Sequence, residues 1–360
     1  MMESLLKKHL EWTPRMAPQD AVKLAYQSAF GCGHLLSARE TCADFVLRER
    51  ERTPEDAAAA PSVPLSGGLC RLNLASPATR ALSPERVADC MLLTDAWVRA
   101  RPDNEDRFEA LLNTWEALAE AGETPFSAQE LRAYLRDYRA QGCPAVSHSQ
   151  TYRAAYAPSY RVVMSDLAAL APVMAQADER LARNGSALIV LDGPCGGGKT
   201  TLAALLGQVY GVSPIAMDDF FLPPVMRTPE RLAQPGGNVH FERFLSEVLK
   251  PLQAGQNFVY GRFNCQTGLI TPCVHMAAPV TIIEGSYSHH PAFEDAYERL
   301  HALRVFVCVE EEEQLRRLGL RSSEGIENFL TRWIPLEKRY FEAYDRKARA
   351  DVRLQSRVSP

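Results

Sequence analysis

The residues best suited to chemistry form one short glycine-rich segment in the middle of the chain. Residues 193–200 read Gly-Pro-Cys-Gly-Gly-Gly-Lys-Thr, which is the pattern G-x-x-x-x-G-K-[ST]. Glycines allow successive backbone N–H groups to turn toward one anion, and the lysine adds a positive charge beside it. The pattern therefore predicts a loop that binds the phosphates of a nucleotide.

The residues on both sides of this loop have the composition that it requires. Residues 187–191 form an apolar run typical of a buried parallel strand, and residues 201–206 suit the start of a helix, whose N-terminus adds a positive dipole end. We expect Lys199 to bridge the β- and γ-phosphates of ATP and the Thr200 hydroxyl to bind Mg²⁺. The predicted nucleotide-binding residues are Gly193, Gly196, Gly197, Gly198, Lys199, Thr200 and Thr201.

One cysteine lies inside the loop. Cys195 is close to the predicted helix N-terminus, where the positive dipole end favours the thiolate. Oxidation at this position would block nucleotide binding. The alternative, which we favour, is a small residue that fills a turn, and the sequence leaves redox sensitivity open.

Carboxylates follow the next two predicted strands. Asp218 and Asp219 come after the strand predicted at 214–217, and Glu284 follows the strand predicted at 280–283. The carboxyl ends of parallel strands meet at the ligand-binding edge of an open α/β sheet. One aspartate could accept the proton of a hydroxyl group, the other could hold metal-bound water or cap the turn, and Glu284 could bind Mg²⁺. The alternative is that both aspartates merely start a turn.

Arginines further along the chain offer positive charge for a transferring phosphoryl group. Arg316, Arg317 and Arg321 lie on a predicted helix that leads into residues 322–325. They could close over the phosphates as a lid, which supplies charge and excludes water. Taken singly, they could equally be solvated surface charges.

Residues 188 to about 354 resemble the uridine kinase and phosphoribulokinase family of P-loop kinases. The phosphate loop, Asp-Asp-Phe-Phe at 218–221, Glu-Gly at 284–285 and the arginine-bearing helix follow in the family's order at similar intervals. The resemblance implies ATP- and Mg²⁺-dependent phosphorylation of a primary hydroxyl, typically the ribose 5′-hydroxyl of a nucleoside. The roles that it implies are a catalytic base at Asp218, a phosphate contact at Lys199, metal ligation at Thr200 and Glu284, and lid arginines at Arg317 and Arg321.

The departures from the family fall where the acceptor should bind. Family members carry Tyr-Asp-Phe after the second helix, whose Asp holds ribose hydroxyls, whereas residues 260–264 here read Tyr-Gly-Arg-Phe-Asn. We expect Asn264 to hold hydroxyls, Phe263 to stack on a base and Tyr287 to complete an acceptor site facing Asp218. Uridine or cytidine is the favoured acceptor, while nicotinamide riboside, pantothenate and a sugar phosphate stay open. Residues 235–239, 260–265 and 333–337 also resemble a bacterial branch described as uridine kinase-like.

Composition and charge restrict the class of protein. The 360 residues are 46% hydrophobic and 23% charged, which is typical of a soluble globular protein with two domains. A net charge of −4 gives no electrostatic footprint for nucleic acid or an anionic membrane. The sequence shows no signal peptide and no long apolar run, and its nine cysteines form no C-x-x-C pair. We therefore expect a cytoplasmic protein that binds ATP and a small molecule, and a homo-oligomer stays open.

Two halves of the chain differ in pattern. Residues 1–184 show apolar residues at helical spacing, which predicts a mostly α-helical accessory domain. Residues 185–360 alternate strand and helix patterns, which predicts an α/β P-loop nucleoside kinase-like domain with a five-stranded parallel sheet. The predicted strands are residues 187–191, 214–217, 280–283, 304–309 and 351–354, and the predicted helices of the first half include 21–29, 84–98, 105–121 and 128–140.

The helical half carries polar clusters of its own. His34 and His148 lie in glycine- or serine-flanked turns, and with Arg71 and neighbouring tyrosines they could form a second anion-binding or catalytic site, which would make the enzyme bifunctional. The favoured alternative is a helix face from Tyr152 to Tyr160 that packs against the kinase domain. A third interpretation is a nucleotide-dependent switch that acts on the helical domain.

Overall fold

The structure of the chain is a computed structural model that describes residues 2–33, 36, 38–265, 267–321 and 326–356, without the side chain of Arg321. It divides after Ala171 into two compact units. The sequence predicted the division after residue 184. The intervening helix goes with the second unit, where Asp178 accepts a hydrogen bond of 3.0 Å from the Tyr210 hydroxyl.

The first unit is mostly helical. Its largest fully buried side chain is Trp115, whose ring centroid lies 6.4 Å from that of Phe126, and Leu24 and Leu69 are also fully buried. Burial of these apolar side chains stabilises the unit. Its helices are α1 (Met2–Trp12), α2 (Pro18–Phe30), α3 (Arg39–Arg52), α4 (Pro77–Arg80), α5 (Pro84–Arg99), α6 (Asn104–Glu120), α7 (Ala128–Ala140), α8 (Gln150–Tyr156) and α9 (Ser165–Ala169).

The first unit also contains a small sheet that was not predicted. Strands β1 (Ser62–Pro64), β2 (Leu69–Asn73) and β3 (Tyr160–Met164) pair antiparallel in the order β1-β2-β3. The helix predicted from Tyr152 to Tyr160 is wrong, because α8 ends at Tyr156. Ala157 takes a left-handed conformation with φ 39°, and Pro158 cannot continue a helix, so the chain turns into β3.

The second unit contains the predicted five-stranded parallel sheet. The strands of the whole unit are β4 (Ala187–Asp192), β5 (Ile215–Ala216), β6 (Phe258–Phe263), β7 (Ile270–His275), β8 (Val280–Glu284), β9 (Leu303–Cys308) and β10 (Val352–Gln355). Five of them form the parallel sheet in the order β10-β9-β4-β8-β5, so β4 is central. The antiparallel hairpin β6-β7 lies outside this sheet and was not predicted.

Helices connect the strands of the second unit. They are α10 (Ala171–Asn184), α11 (Lys199–Tyr210), α12 (Pro229–Ala233), α13 (Phe241–Phe244), α14 (Lys250–Gln253), α15 (Glu294–Arg299), α16 (Glu311–Arg321) and α17 (Ile334–Tyr344). A 3₁₀ turn, Met217–Phe220, follows β5, and a π-helical segment, Phe329–Trp333, leads into α17. Among the helices of the described residues, none is both long and apolar enough to cross a membrane.

Candidate active site

The glycine-rich loop lies at the carboxyl end of β4, the central strand of the sheet. Gly193 and Gly198 have φ angles of +143° and +88°, and a Cβ on Gly193 would lie 2.4 Å from the carbonyl oxygen of Val307. A Cβ on Gly197 would lie 2.8 Å from the carbonyl oxygen of Pro194. The loop therefore needs its glycines, and its backbone path leads directly into the N-terminus of α11. This arrangement suits the phosphates of a nucleotide.

A fully buried carboxylate fixes the start of the loop. Asp192 accepts hydrogen bonds from the backbone N–H groups of Gly193 at 2.7 Å, Tyr287 at 3.0 Å and His289 at 2.9 Å. The hydroxyl of Tyr340 on α17 donates a fourth bond at 2.8 Å. Asp192 thus ties the loop to the segment after β8 and to α17, which pre-organises the phosphate site.

Lys199 is buried, and its ammonium group lies against the loop. Nζ donates hydrogen bonds to the carbonyl oxygens of Gly193 at 2.8 Å and Pro194 at 3.0 Å, and to Oγ of Ser286 at 3.2 Å. These partners are neutral oxygens. The ammonium group can therefore exchange them for the charged oxygens of a phosphate, which bind it more strongly.

Thr200 and Glu284, the predicted metal residues, are in direct contact. The Thr200 hydroxyl donates a hydrogen bond of 3.1 Å to Oε1 of Glu284. Burial raises the pKa of Glu284, and the charge of Lys199 opposes this rise. Mg²⁺ is held by few protein oxygens and completes its shell with water and phosphate oxygens, so this pair fits Mg²⁺ beside a nucleotide. Within the described ranges, no group of three or more His, Cys, Asp or Glu side chains is placed to hold a metal ion.

The two aspartates that follow β5 have different surroundings. Asp218 has an exposed side chain, whereas Asp219 is buried and pairs through Oδ2 with Nε of Arg262 at 3.2 Å. Desolvation by the surrounding protein raises the pKa of both carboxyls, and it is opposed by Lys199 at Asp218 and by Arg262 at Asp219. Asp218 is therefore the carboxylate that an acceptor could reach, while Asp219 attaches the turn to β6.

One of the predicted lid arginines lies at the loop. Nη1 of Arg317 donates a hydrogen bond of 3.2 Å to the carbonyl oxygen of Gly196, and its Nε bonds Glu313 at 2.6 Å. Arg316 also bonds Glu313, at 2.7 Å, and is about half exposed. The side chain of Arg321 lies outside the described part of the chain. The structure thus places Arg317, but not Arg316, against the phosphate loop.

The three predicted acceptor residues have very different exposures. Phe263 is buried at the end of β6, and Asn264, which follows it, is exposed. Tyr287 is fully buried, and its ring centroid lies 4.9 Å from that of Tyr340. A ring packed in the core in this way offers an acceptor no surface, so Asn264 is the most accessible of the three.

A buried carboxylate that was not predicted lies against the loop. Oε2 of Glu337 accepts a hydrogen bond of 2.9 Å from the N–H of Cys195, and Oε1 accepts one of 2.7 Å from the Ser286 hydroxyl. Burial raises the pKa of Glu337, and Lys199 opposes this rise. The only sequence signal for a role of Glu337 was its place in residues 333–337, which resemble the uridine kinase-like branch. A single glutamate on a helix otherwise indicates a solvated face.

The thiol of Cys195 is not activated. Burial, followed by the Glu337 carboxylate, raises its pKa to about 12. Burial and a neighbouring negative charge outweigh the helix dipole at this position, which agrees with the favoured interpretation of Cys195 as a small residue that fills a turn.

The structure also contains a cavity of about 250 Å³ next to the turn that carries Asp218. It is lined by residues that follow this turn and by residues at the start of α17, among them Phe221, Asn238 and Trp333. None of the predicted acceptor residues lines it.

A second polar cluster lies in the first unit. Asp20 is buried and lies 2.9 Å from Nδ1 of His148, whose Nε2 lies 2.5 Å from the Tyr160 hydroxyl. Arg71, also buried, donates to Oε1 of Gln27 at 2.8 Å. Burial lowers the pKa of His148 to about 4, so the imidazole is neutral at physiological pH.

The predicted second site is described only in part. His34 lies outside the described residues. The ring of His148 stacks on that of Tyr152 at 4.0 Å between centroids, in addition to its hydrogen bonds. These contacts hold His148 within a packed network, and the second site stays a prediction.

Comparison with known proteins gives similar folds. No protein-family model and no curated protein matches the chain. Similar solved structures include "Structure of a Possible Uridine Kinase from Bacillus stearothermophilus", with 20% identity, 47% of this chain and 88% of that chain covered, and a TM-score of 0.36. Another is a "putative fructose transport system kinase from Silicibacter sp. TM1040", with 21% identity and a TM-score of 0.35. The match covers 50% of this chain and 97% of that chain. The YGR205w protein shares 14% identity with this chain, and the TM-score is 0.34. The match covers 52% of this chain and 94% of that chain.

Proposed function

We propose that the second unit transfers the γ-phosphoryl group of ATP to a hydroxyl group of a small molecule. The observation that carries this proposal is the grouping of Lys199, Asp218 and Glu284 at one edge of the sheet, where the charge of Lys199 acts on both carboxyls and opposes the rise in their pKa that burial causes. A phosphate loop alone would serve any nucleotide-binding protein. An exposed carboxylate beside the loop lysine adds the group that a hydroxyl acceptor needs.

The chemical step uses residues with separate tasks. The acceptor oxygen forms a bond to the γ-phosphorus, the bond from that phosphorus to the β–γ bridging oxygen breaks, and ADP leaves with the electron pair. The carboxylate of Asp218 accepts the hydroxyl proton, and its raised pKa makes it a better base. Lys199 and Arg317 neutralise charge on the phosphate oxygens.

The residues at the loop also suit the two cofactors. The glycines at 193 and 196–198, with Thr201 at the start of α11, would hold the phosphates of ATP. Thr200 and Glu284 would hold Mg²⁺, which neutralises phosphate charge when it is bound. The order of motifs that resembles the uridine kinase and phosphoribulokinase family supports the same assignment.

The resemblance to the uridine kinase and phosphoribulokinase family favours uridine and cytidine as acceptors. A half-buried aromatic pair, Phe221 and Trp333, lies beside the Asp218 turn and offers a surface on which a base could stack. Nicotinamide riboside, pantothenate and sugar phosphates are the alternatives.

The direct test is a screen of ATP consumption by the full chain with nucleosides, vitamins and sugar phosphates. The proposal expects turnover that begins only when one class of hydroxyl compound is added, and loss of that turnover in Lys199→Ala. Slow ATP hydrolysis that ignores every acceptor would contradict the proposal and favour a nucleotide-dependent switch.

A further inference from the structure

The 250 Å³ cavity is built from two segments that also carry the proposed chemistry. Phe221 lies three residues after Asp218, and the N–H of Leu222 donates a hydrogen bond of 2.9 Å to the carbonyl oxygen of Asn238. The opposite wall includes Trp333 and the start of α17, which carries Glu337 at the phosphate loop. The cavity is therefore lined by the segment that follows the proposed base and by the helix that contacts the loop.

Three arginines line this cavity, and their charges are not neutralised by carboxylates. Nε of Arg227 donates to the carbonyl oxygen of Leu222 at 2.8 Å, and Nη1 of Arg339 makes only long contacts of 3.4 and 3.5 Å to carbonyl oxygens. The guanidinium carbon of Arg332 lies 5.1 Å from the Trp333 ring centroid. Within the described ranges, none of the three arginines forms an ion pair. Arg332 and Arg339 are exposed and Arg227 is half-buried, and together the three cations give the cavity a positive local potential.

A buried amide adds a hydrogen-bond donor to the same cavity. Asn238 is 7% exposed, and its Nδ2 has no hydrogen-bond partner among the residues that the structure describes. A buried donor without a partner costs stability unless a ligand or water satisfies it. Nδ2 of Asn238 is therefore a donor that a ligand or a water molecule in the cavity could satisfy.

Two aromatic rings form an apolar part of the cavity wall. The ring centroids of Phe221 and Trp333 are 5.6 Å apart, and the planes are inclined by 38°. An apolar wall lowers the local dielectric constant, which strengthens the attraction between the arginines and an anion. The volume suits a small metabolite.

We infer that the acceptor carries a carboxylate or phosphate group, which Arg227, Arg332 and Arg339 bind in this cavity while its hydroxyl faces Asp218. This inference rests on the proposed function. Uridine and cytidine lack such a charge and would leave the three guanidinium groups without a negatively charged partner in the cavity. Among the acceptors named above, pantothenate has a carboxylate and a pentose phosphate has a phosphate.

Steady-state kinetics compare these compounds. At saturating ATP and Mg²⁺, we expect pantothenate or ribulose 5-phosphate to give a kcat/KM at least about tenfold above that of uridine and cytidine, since a charged hydrogen bond contributes roughly 1.5–3 kcal/mol. Which of the two is active identifies the carboxylate or the phosphate as the anion. Arg332→Gln and Arg339→Gln should each raise KM for the anionic acceptor with little change in KM for ATP. Arg299→Gln, an exposed arginine on α15, is the matched control and should change neither.

Tryptophan fluorescence tests binding without turnover. Trp333 is the only tryptophan of the second unit, since the other three are at positions 12, 97 and 115. With ADP and Mg²⁺ present to fill the phosphate loop, ribulose 5-phosphate or pantothenate should change the emission. The change should be lost in Trp333→Phe and weakened in Arg332→Gln.

The outcomes separate the two proposals. Turnover with uridine or cytidine and with no anionic compound would overturn this inference and leave the kinase function standing. ATP hydrolysis that no acceptor stimulates would overturn the kinase function. The fluorescence titration would then show whether the cavity binds an anionic compound. No fluorescence change with either anion would overturn the inference.

Discussion

The backbone N–H of Cys195 donates a hydrogen bond of 2.9 Å to Oε2 of Glu337. A carboxylate on α17 thus contacts the phosphate-binding loop at the point where negatively charged phosphates are expected. The same helix carries Arg339 of the cavity and the Tyr340 hydroxyl that bonds Asp192. Helix α17 therefore connects the loop with the proposed acceptor site.

Replacing this carboxylate should strengthen nucleotide binding. Glu337→Gln keeps an oxygen that can accept the Cys195 hydrogen bond but removes a negative charge that repels phosphates. We expect the Kd for ATP to fall by about tenfold, or ~1.4 kcal/mol. Titration with a fluorescent ATP analogue measures this. Glu342→Gln, exposed on the same helix, is the control, and an unchanged or weaker affinity in Glu337→Gln would refute the repulsion.

The two neighbouring aspartates should differ in their effect on turnover. Asp218→Asn removes the proposed proton acceptor and should lower kcat by about 10²–10⁴-fold. Its KM for ATP should stay near the wild-type value, because Asp218 acts on the acceptor. Asp219→Asn is isosteric and removes the negative charge that pairs with Arg262, away from the proposed proton transfer, so its kcat should fall much less. Equal losses of kcat in the two variants would show that Asp218 has no special role.

Lys199 should contribute to both binding and turnover. Lys199→Ala removes a buried ammonium group at the loop, so we expect the Kd for ATP to rise at least about tenfold and kcat to fall as well. Lys250→Ala, an exposed lysine on α14, provides the comparison. A Lys199→Ala enzyme with wild-type affinity and rate would rule out a phosphate contact at this position.

Acid should destabilise the first unit through His148. Its pKa is lowered from 6.5 to about 4 by burial, so the native state favours the neutral imidazole. The stabilisation is complete above pH 6.5 and is lost as the pH falls toward 4, by at most about 1.4 kcal/mol per pH unit. Urea unfolding followed by tryptophan fluorescence, which reports mainly on the first unit, measures this loss. In His148→Gln the free energy of unfolding should vary less over this pH range, and an identical slope would contradict the assignment.

The elements that could be predicted from the sequence are those with a regular pattern of apolar residues. Residues 187–191 and 280–283 became β4 and β8, because continuous apolar runs can be buried on both faces of a parallel sheet. The hairpin β6-β7 was not predicted, since its second strand is largely exposed and lacks an apolar pattern. Strand β2 was also missed, because Arg71 interrupts its short apolar run and its hydrogen-bond partner Gln27 is distant in sequence.

The residues of the candidate site also fall into those that local motifs identify and those that only the folded structure brings together. Local motifs identified Lys199, Thr200 and Glu284 as candidates, and in the structure Thr200 and Glu284 are in contact. Glu337 and the cavity arginines come from segments distant in sequence, and only folding brings them to the loop and to Phe221. No local pattern distinguishes them from solvated helix residues.

The most direct test of the central claim is to count products. The full chain is incubated with ATP, Mg²⁺ and the acceptor that stimulates turnover, and ADP and phosphorylated acceptor are measured together. We predict one phosphorylated acceptor for each ADP, and loss of both products in Asp218→Asn. ADP formed together with inorganic phosphate, without phosphorylated acceptor, would contradict the proposed phosphoryl transfer.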